Sequence, residues 1–346
     1  MPRMAPLPPV KLPAWLHKIK GTTSSYIQAD DGTIFLFDAA FYPLENEVAR
    51  LLKSKEISGV DAVWISHYHD DHVQSVNEIR RKYGAKVYAQ KELEDILENP
   101  RAYAMPCLFP ESIHVDHVLS EGEVINWKGY KLTGFYFPGQ TLYHDALLIE
   151  HEGTRVFMPG DSTYNWAIDD YCSYNRNLLG NGNGYERCLQ LLLRIKPDML
   201  WPAHRTGEPL SEEYLQKTLG LLEERTKMFA ALFPWDDPNF GLDPYWVRAY
   251  PYRQSILPGQ LVTLEARIYN HSAHVQSASV ELRAPTGWKT YKSVPVNLAP
   301  KSEGKVRLTA IAPRKVSQRR EVLGLAVQFG GRNLGEAAEA IVDYLR

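Results

Sequence analysis

The stretch Ser66-His67-Tyr68-His69-Asp70-Asp71-His72 decides how this chain is interpreted. It follows an apolar run at residues 60–65, which predicts a buried strand. Alternate side chains of an extended loop point the same way, so His67 and His69 can hold one ion. Asp71 and His72 begin the next predicted helix and face another direction, which suits a second ion. Imidazole and carboxylate together favour zinc, iron or manganese, and so dense a spacing disfavours a merely exposed polar loop.

The composition is typical of a globular protein and leaves room for two domains in 346 residues. A net charge of −2 gives no basic field, so we expect a small-molecule substrate as partner, with no nucleic acid and no membrane. Cys107, Cys172 and Cys188 contain no Cys-x-x-Cys pair and are predicted to be buried, inert thiols. Residues 1–13 lack a signal-peptide run, so we expect a cytoplasmic location.

Strand, loop and helix alternate through the first hundred residues, which indicates an α/β layer arrangement. Residues 22–38 predict a hairpin with its turn at 30–32, and helical spacing follows at 44–55 and from Asp71 to Gly84. A second, strand-rich block is predicted to begin with a strand at 113–115. Later helices are predicted at 185–195 and 211–233.

Further ligand candidates come just after predicted short strands. His144 follows Pro138-Gly139-Gln140-Thr141, Asp161 follows Pro159-Gly160, and His204 follows Pro202-Ala203. A lone histidine is more often structural, but this placement after strand ends favours a shared metal site.

The series of motifs resembles the metallo-β-lactamase superfamily across about residues 20–232. The resemblance lies in the His-x-His-x-Asp-His signature, a Pro-Gly-His-Thr-like loop, a Gly-Asp-Ser loop and a late histidine, in the family's order. It implies an αββα sandwich with two divalent ions, of which zinc is expected first and iron or manganese are alternatives.

The resemblance also implies a role for each matching position. His67 and His69 would bind the first ion, and Asp161 would bridge the two ions. The second ion would be held by Asp71, His72 and His204. Asp38, at the end of the hairpin strand, would support the metal loop from behind without touching metal.

One position departs from the family's pattern. The family's third histidine on the first metal falls on Gln140, and an amide oxygen is a weaker ligand than imidazole. We predict that His144, four residues later, takes the vacant place, with Gln140 beside it. The alternatives are Gln140 itself as the ligand, or a first site with only two histidines and Asp161, which would leave a single-metal protein.

Two bound ions would supply the chemistry of a hydrolase. Ions about 3.5–4 Å apart share a hydroxide whose parent water has a pKa near 7, and Asp71 and Asp161 are the residues expected in the catalytic step. The predicted substrate is a small ester, thioester, lactone, phosphodiester or β-lactam. Two alternatives remain: a di-iron reductase of oxygen or nitric oxide, although that branch usually carries a glutamate where this chain has His69, and a non-catalytic module with one structural metal.

Residues 164–185 form an insertion after the bridging aspartate. They are interpreted either as a lid whose Tyr174 or Arg176 touches substrate, or as an ordered loop that braces the fold. Arg205, beside His204, is an anion contact or a surface ion pair.

The composition changes after Pro234, which predicts a catalytic domain at 1–235, a linker at 236–249 and a β-sandwich at 250–346. The last part resembles immunoglobulin-like accessory domains, most of all in Pro285-Thr286-Gly287-Trp288. Such a domain packs on the enzyme as support, mediates a homo-oligomer or binds a polymer. Structural support is the role that we favour.

Overall fold

A computed structural model describes residues 9–40, 44–163, 174–180 and 182–345. The chain divides into two compact units. The first consists of Met1–Pro100 with Met105–Thr226, and the second of Arg101–Ala104 with Lys227–Arg346. No helix in the described ranges is long and apolar enough to cross a lipid bilayer.

Two sheets form the centre of the first unit. The six-stranded sheet has its strands in chain order: β1 (Leu16–Lys18), β2 (Ser25–Gln28), β3 (Thr33–Phe37), β4 (Gly59–Trp64), β5 (Lys86–Gln90) and β6 (His117–Leu119). The five-stranded sheet runs in the order β11, β10, β9, β8, β7, with bounds β7 (Val124–Trp127), β8 (Tyr130–Tyr136), β9 (Asp145–His151), β10 (Thr154–Met158) and β11 (Met199–Leu200). Strands β3 to β6 are parallel, so their carboxyl ends meet at one edge of the sheet.

In the described residues these sheets are accompanied by the helices α1 (Leu44–Lys53), α2 (Asp70–Val73), α3 (Val76–Tyr83), α4 (Lys91–Glu98), α5 (Gly184–Ile195) and α6 (Glu212–Leu232). The last six residues of α6 belong to the second unit. Helices α3 and α4 pack on strands of the six-stranded sheet. The two sheets share one apolar core, with large side chains such as Phe35, Trp64 and Leu132 fully or almost fully buried. Each such side chain contributes about 1.5–3 kcal/mol, so the core fixes the strand ends that carry the polar motifs.

Several predictions for this unit can be compared with the structure. The hairpin at 22–38 is confirmed by β2 and β3, and the buried strand before the histidine cluster by β4. The predicted strand at 113–115 is wrong: the Ile113 amide donates to the Leu97 carbonyl, so this segment is hydrogen-bonded to the last turn of α4, and the strand begins at His117.

The predicted burial of the thiols is corrected at one position. Cys107 is exposed, whereas Cys188 is buried in α5 and Cys172 lies outside the described residues. Cys107 stands in a loop with φ +53°, where its backbone carbonyl accepts a hydrogen bond from the Asp70 amide. The backbone contact, rather than burial of the thiol, fixes this residue.

The second unit contains a four-stranded sheet in the order β12, β14, β18, β16 and a five-stranded sheet in the order β13, β20, β19, β15, β17. Their bounds are β12 (Val247–Tyr250), β13 (Arg253–Ile256), β14 (Leu261–Asn270), β15 (Gln276–Arg283), β16 (Lys289–Thr290), β17 (Val296–Leu298), β18 (Ser302–Ile311), β19 (Arg320–Phe329) and β20 (Arg332–Tyr344). Alternate residues of β14 are buried, as expected for a strand with one face on a core. Both sheets contribute to that core.

The segment 236–249, predicted to be a linker, contains a helix, α7 (Asn239–Leu242), and strand β12. Phe240 and Val247 are buried in the core of the second unit. Two prolines and two aspartates near its start suggested a linker, but its aromatic and β-branched side chains pack inward and make the segment part of this unit.

Candidate metal centre

The histidine cluster lies at the carboxyl edge of the six-stranded sheet. Strand β4 ends at Trp64, and α2 begins at Asp70, so the intervening loop projects from the strand end as predicted. His67, His69 and His72 are buried. The neighbouring strand β3 delivers Asp38 to the same edge, where the Asp38 amide donates to the Trp64 carbonyl at 2.8 Å.

Asp38 holds this loop in place from behind. Its carboxylate accepts hydrogen bonds from the Ser66 amide at 2.7 Å, the Ser66 hydroxyl at 2.8 Å and His72 Nδ1 at 2.8 Å. Because Nδ1 of His72 is engaged, Nε2 is the atom left to face the cluster. Asp38 therefore contacts the histidine loop through Ser66 and His72, and its predicted effect on a metal stays a prediction.

Four of the predicted ligands gather into one group. One potential ligand atom from each of Asp71, His72, Asp161 and His204 lies within 4.8 Å of the other three. Asp161 Oδ2 is 3.3 Å from His72 Nε2 and 3.2 Å from His204 Nε2, and Asp71 Oδ2 is 3.5 and 3.4 Å from the same atoms. This is the set predicted for the second ion together with the predicted bridge. His204 is about half exposed and forms the open side of the group.

The residues predicted for the first ion are close together but less convergent. His67 Nε2 is 3.9 Å from Asp161 Oδ2, so Asp161 stands between the two groups. The His67 ring lies 4.4 Å from that of His69 and 4.7 Å from that of His144, where it stacks at 18°. His144 Nε2 accepts a hydrogen bond from the Asp161 amide at 3.2 Å. The ring therefore reaches the cluster, but one of its nitrogens has a backbone partner.

The loop of Gln140 packs closely against the loop that carries Asp161 and Ser162. The backbone N–H of Gln140 donates to Ser162 Oγ at 3.1 Å, and the residue is buried. A Cβ at Gly139 would lie 2.6 Å from that of Ser162, and one at Gly160, where φ is +53°, would lie 2.7 Å from His144 Cε1. Both positions therefore require glycine, which explains the two Pro-Gly pairs that begin these loops.

The donor set fits divalent metal ions. In the part of the chain that the structure describes, His67 Nε2, His72 Nε2 and Asp161 Oδ1 are buried without a hydrogen-bond partner. Such orphaned atoms are costly unless a further group satisfies them. Imidazole nitrogen and carboxylate oxygen are ligands for zinc, iron and manganese, so these residues are suited to hold the predicted ions.

The two groups differ in protonation. Burial lowers the pKa of His67 well below its usual value, lowers that of His69, and takes that of His144 to about 3. Burial also acts on His72, but Asp161 and Asp38 outweigh it and raise the pKa well above the usual value. Hydrogen bonds to Asp161 and Asp71 raise the pKa of His204 to about 9. Before a metal binds, the histidines of the first group are thus neutral, whereas His72 and His204 are protonated and pair with the ionised Asp71 and Asp161.

A lysine outside the predicted ligand set, Lys18, connects the two loops of the second group. Lys18 Nζ donates to the carbonyls of Thr23 and Ala203, and Thr23 Oγ1 donates to the Asp71 carbonyl at 2.6 Å. The turn between β1 and β2 therefore ties the loop of Asp71 to the loop of His204. Burial lowers the pKa of Lys18 to about 8. No local motif marks Lys18, because 185 residues separate it from Ala203.

The insertion contributes a second unexpected residue. Asn175 Oδ1 accepts a hydrogen bond from Tyr68 Oη at 2.9 Å and lies 3.2 Å from His69 Nε2, with its side chain fully buried. No motif around Asn175 predicts this contact, because His69 is 106 residues away in the chain.

The residues predicted to touch substrate have different surroundings. Tyr174 is exposed, whereas Arg176 is buried and donates to Tyr143 Oη at 3.1 Å. This favours the interpretation of Arg176 as a brace. Arg205, the residue after His204 in the chain, forms an ion pair with Glu208 in which Nη1 lies 3.4 Å from Oε1. The rest of the predicted lid, residues 164–173, lies outside the described residues.

The sequence profile of the Metallo-beta-lactamase superfamily matches residues 19–208, more than half of the chain. The chain therefore belongs to the metallo-β-lactamase superfamily, and the order of its motifs is explained by that membership.

Particular relatives resemble parts of the chain. It is 33% identical over 87 residues to a hydroxyacylglutathione hydrolase of Serratia proteamaculans and 26% identical over 105 residues to one of Pseudomonas putida. These matches cover 25% and 30% of this chain and only 28% and 34% of the relatives. A subclass B3 metallo-β-lactamase of Bradyrhizobium japonicum is 17% identical, covering 66% of this chain and 95% of its own, with a TM-score of 0.47.

Proposed function

We propose that this protein is a metal-dependent hydrolase of a small ester, thioester, lactone or phosphodiester, and that it holds two divalent ions, zinc first. The observation that carries the proposal is the convergence of Asp71, His72, Asp161 and His204 within 4.8 Å, with His67 on the other side of Asp161. The names of its relatives denote hydrolysis of a small conjugate, which supports the same class of reaction.

Each residue has a distinct part in this proposal. His72, Asp71 and His204 would hold one ion, His67, His69 and His144 the other, and Asp161 both. When bound, such ions polarise the scissile bond and lower the pKa of water to near 7. Asp38 keeps His72 oriented through Nδ1 at 2.8 Å, and the Lys18 contacts hold the His204 loop. Asp161, ionised at neutral pH, is placed to orient the attacking water or to pass its proton to the leaving group.

A single-metal protein is the second candidate, and one contact favours it. Asn175 Oδ1 lies 3.2 Å from His69 Nε2, so this hydrogen bond leaves only Nδ1 of His69 for the first ion. If the first ion needs Nε2, the hydrogen bond competes with it, and only the second group binds an ion. Metal content per chain separates the two candidates, and anomalous scattering at the zinc and iron edges identifies the ions.

The proposal is tested by replacing one residue of each group. The double variant His69→Ala/Asp71→Ala is expected to lose both metal content and hydrolysis of activated esters, measured by elemental analysis and by product release. Retention of hydrolysis with both residues replaced contradicts the proposal. Iron in the natural protein together with oxygen consumption points instead to the redox alternative.

For the second unit we propose an immunoglobulin-like sandwich that serves as structural support or mediates a homo-oligomer. Its two sheets on a common core support this. The cytoplasmic location stays a proposal as well.

A further inference from the structure

A cavity of about 470 Å³ opens directly beside Asp71 and His204. Cavities of about 300–1,000 Å³ are typical of small-molecule sites. Lys18, one of its lining residues, is held in place by hydrogen bonds from its Nζ to the Thr23 and Ala203 carbonyls. A ligand bound in this cavity would therefore lie next to the second group of proposed metal ligands.

The lining of this cavity is rich in positive charge. Lys18, Lys20 and Arg205 line it, and Asp71 is the carboxylate in its wall. Asp71 already pairs with His72 and His204, so it does not offset the lysines. Lys20 is exposed at the mouth and forms no ion pair with any residue that the structure describes.

The three cations differ in how free they are to meet a ligand. Two of the three N–H donors of Lys18 form hydrogen bonds to backbone carbonyls, so one donor is available for a ligand. Arg205 Nη1 lies 3.4 Å from Glu208 Oε1, and Glu208 does not line the cavity. Of the three cations, Lys20 therefore has the positive charge that is least balanced by a nearby carboxylate. Arg205 lines the same cavity and offers a planar guanidinium with several N–H donors.

We propose that this cavity is a subsite for an anionic oxygen group of the substrate, a carboxylate or phosphate several bonds from the scissile bond, contacted by Lys20 and Arg205. The proposal rests on the proposed hydrolase function, because it places that anion relative to the metal groups. It narrows the substrate to a small acid-bearing ester or thioester.

The first test compares two activated esters on the zinc-loaded protein: p-nitrophenyl butyrate, which is neutral, and mono-p-nitrophenyl glutarate, which carries a carboxylate. In Lys20→Ala the ratio of kcat/KM for the glutarate ester to that for the butyrate ester is expected to fall roughly fivefold to tenfold. Lys20→Glu should lower it further, and added salt should shrink the difference. Lys53→Ala, which removes an exposed lysine from the end of α1, is the matched control. An unchanged ratio in Lys20→Ala, or an equal fall in the control, overturns the subsite.

A second test needs no turnover. The zinc-loaded protein is titrated calorimetrically with glutarate and with inorganic phosphate. For at least one of these anions, the dissociation constant is expected to be roughly fivefold to tenfold higher in Lys20→Ala than in the unmodified protein. The anion that is affected shows whether the cavity binds a carboxylate or a phosphate. If neither ester is hydrolysed but this loss is seen, the proposed function fails and the anion site stands. If both esters are hydrolysed and Lys20→Ala binds both anions like the unmodified protein, the subsite fails and the function stands.

Discussion

The two halves of the candidate metal centre both contain histidines but differ in how closely the side chains converge and in the protonation of those histidines. The second group, Asp71, His72, Asp161 and His204, converges within 4.8 Å and carries two histidines with raised pKa values. In the first group burial lowers the pKa values of the histidines, and His69 and His144 already have hydrogen-bond partners in Asn175 and the Asp161 amide. Carboxylates pull the second group together electrostatically, whereas the first depends on burial and ring stacking.

The difference teaches that ligand type alone does not make a site. In the second group Asp38 orients His72 from behind and Lys18 ties down the loop of His204. For the first group the described residues offer a buried Gln140 where the family keeps a histidine, and an asparagine from the insertion. We therefore expect the second ion to bind more tightly than the first.

The largest effect is expected from the residue that joins the two groups. Asp161→Asn should lose both ions and lower kcat/KM by more than about a hundredfold, because replacing even a partner behind a ligand costs about 10–100-fold. Metal content and ester hydrolysis measure this, with Asp30→Asn in the hairpin turn as the control. Two ions retained in Asp161→Asn would refute the bridging role.

The next effect distinguishes the ligands proposed for the first group. His144→Ala should reduce bound zinc from two ions to one per chain, while Gln140→Ala should keep two, because imidazole is the stronger ligand. Elemental analysis after gel filtration gives the stoichiometry, and circular dichroism verifies folding. The opposite pattern would assign the place to Gln140, and one ion in the unmodified protein would favour the single-metal candidate.

A smaller effect is expected behind the second group. Asp38→Asn tolerates the φ of +58° at this position and keeps the shape of the side chain, but it removes the charge facing His72 Nδ1. Metal affinity should fall about 10–100-fold at one ion only. Zinc titration against a competing chelator measures both affinities, and a uniform loss at both ions would mean that Asp38 acts through overall stability instead.

The smallest effect concerns pH in the metal-free protein. The folded pKa of His204, about 9, exceeds its ordinary value of 6.5, so the stabilising contribution of its ion pairs is complete below pH 6.5 and is lost as the pH rises to 9. Since His204 is half exposed, the loss should be about 1 kcal/mol or less. Urea unfolding after chelation measures it, with His204→Gln as the reference; an equal pH response in that variant would exclude His204 as the cause.

The sequence by itself determined the chemistry of the site and the order of its parts. Seven residues from Ser66 to His72 supply four candidate ligands, and their position after an apolar strand fixed where the loop emerges. These features are local. The end of a strand, the alternation of side chains in an extended loop and the start of a helix all depend on residues that are neighbours in the chain. The same reasoning placed Asp161 and His204 after strands, and the two strand-rich sheets of the second unit followed from short-range alternation.

Only the tertiary structure decided which residues meet across long distances in the chain. The contact of Lys18 with Ala203, that of Asn175 with His69, and the ring of His144 against the Asp161 amide each join separate loops. No regular spacing or motif in the sequence predicts these pairs, because the partner of a side chain depends on how the two sheets and their loops pack. Tertiary contacts also joined residues 113–115 to the carboxyl end of α4 and left Cys107 exposed, where the local pattern predicted a strand and a buried thiol.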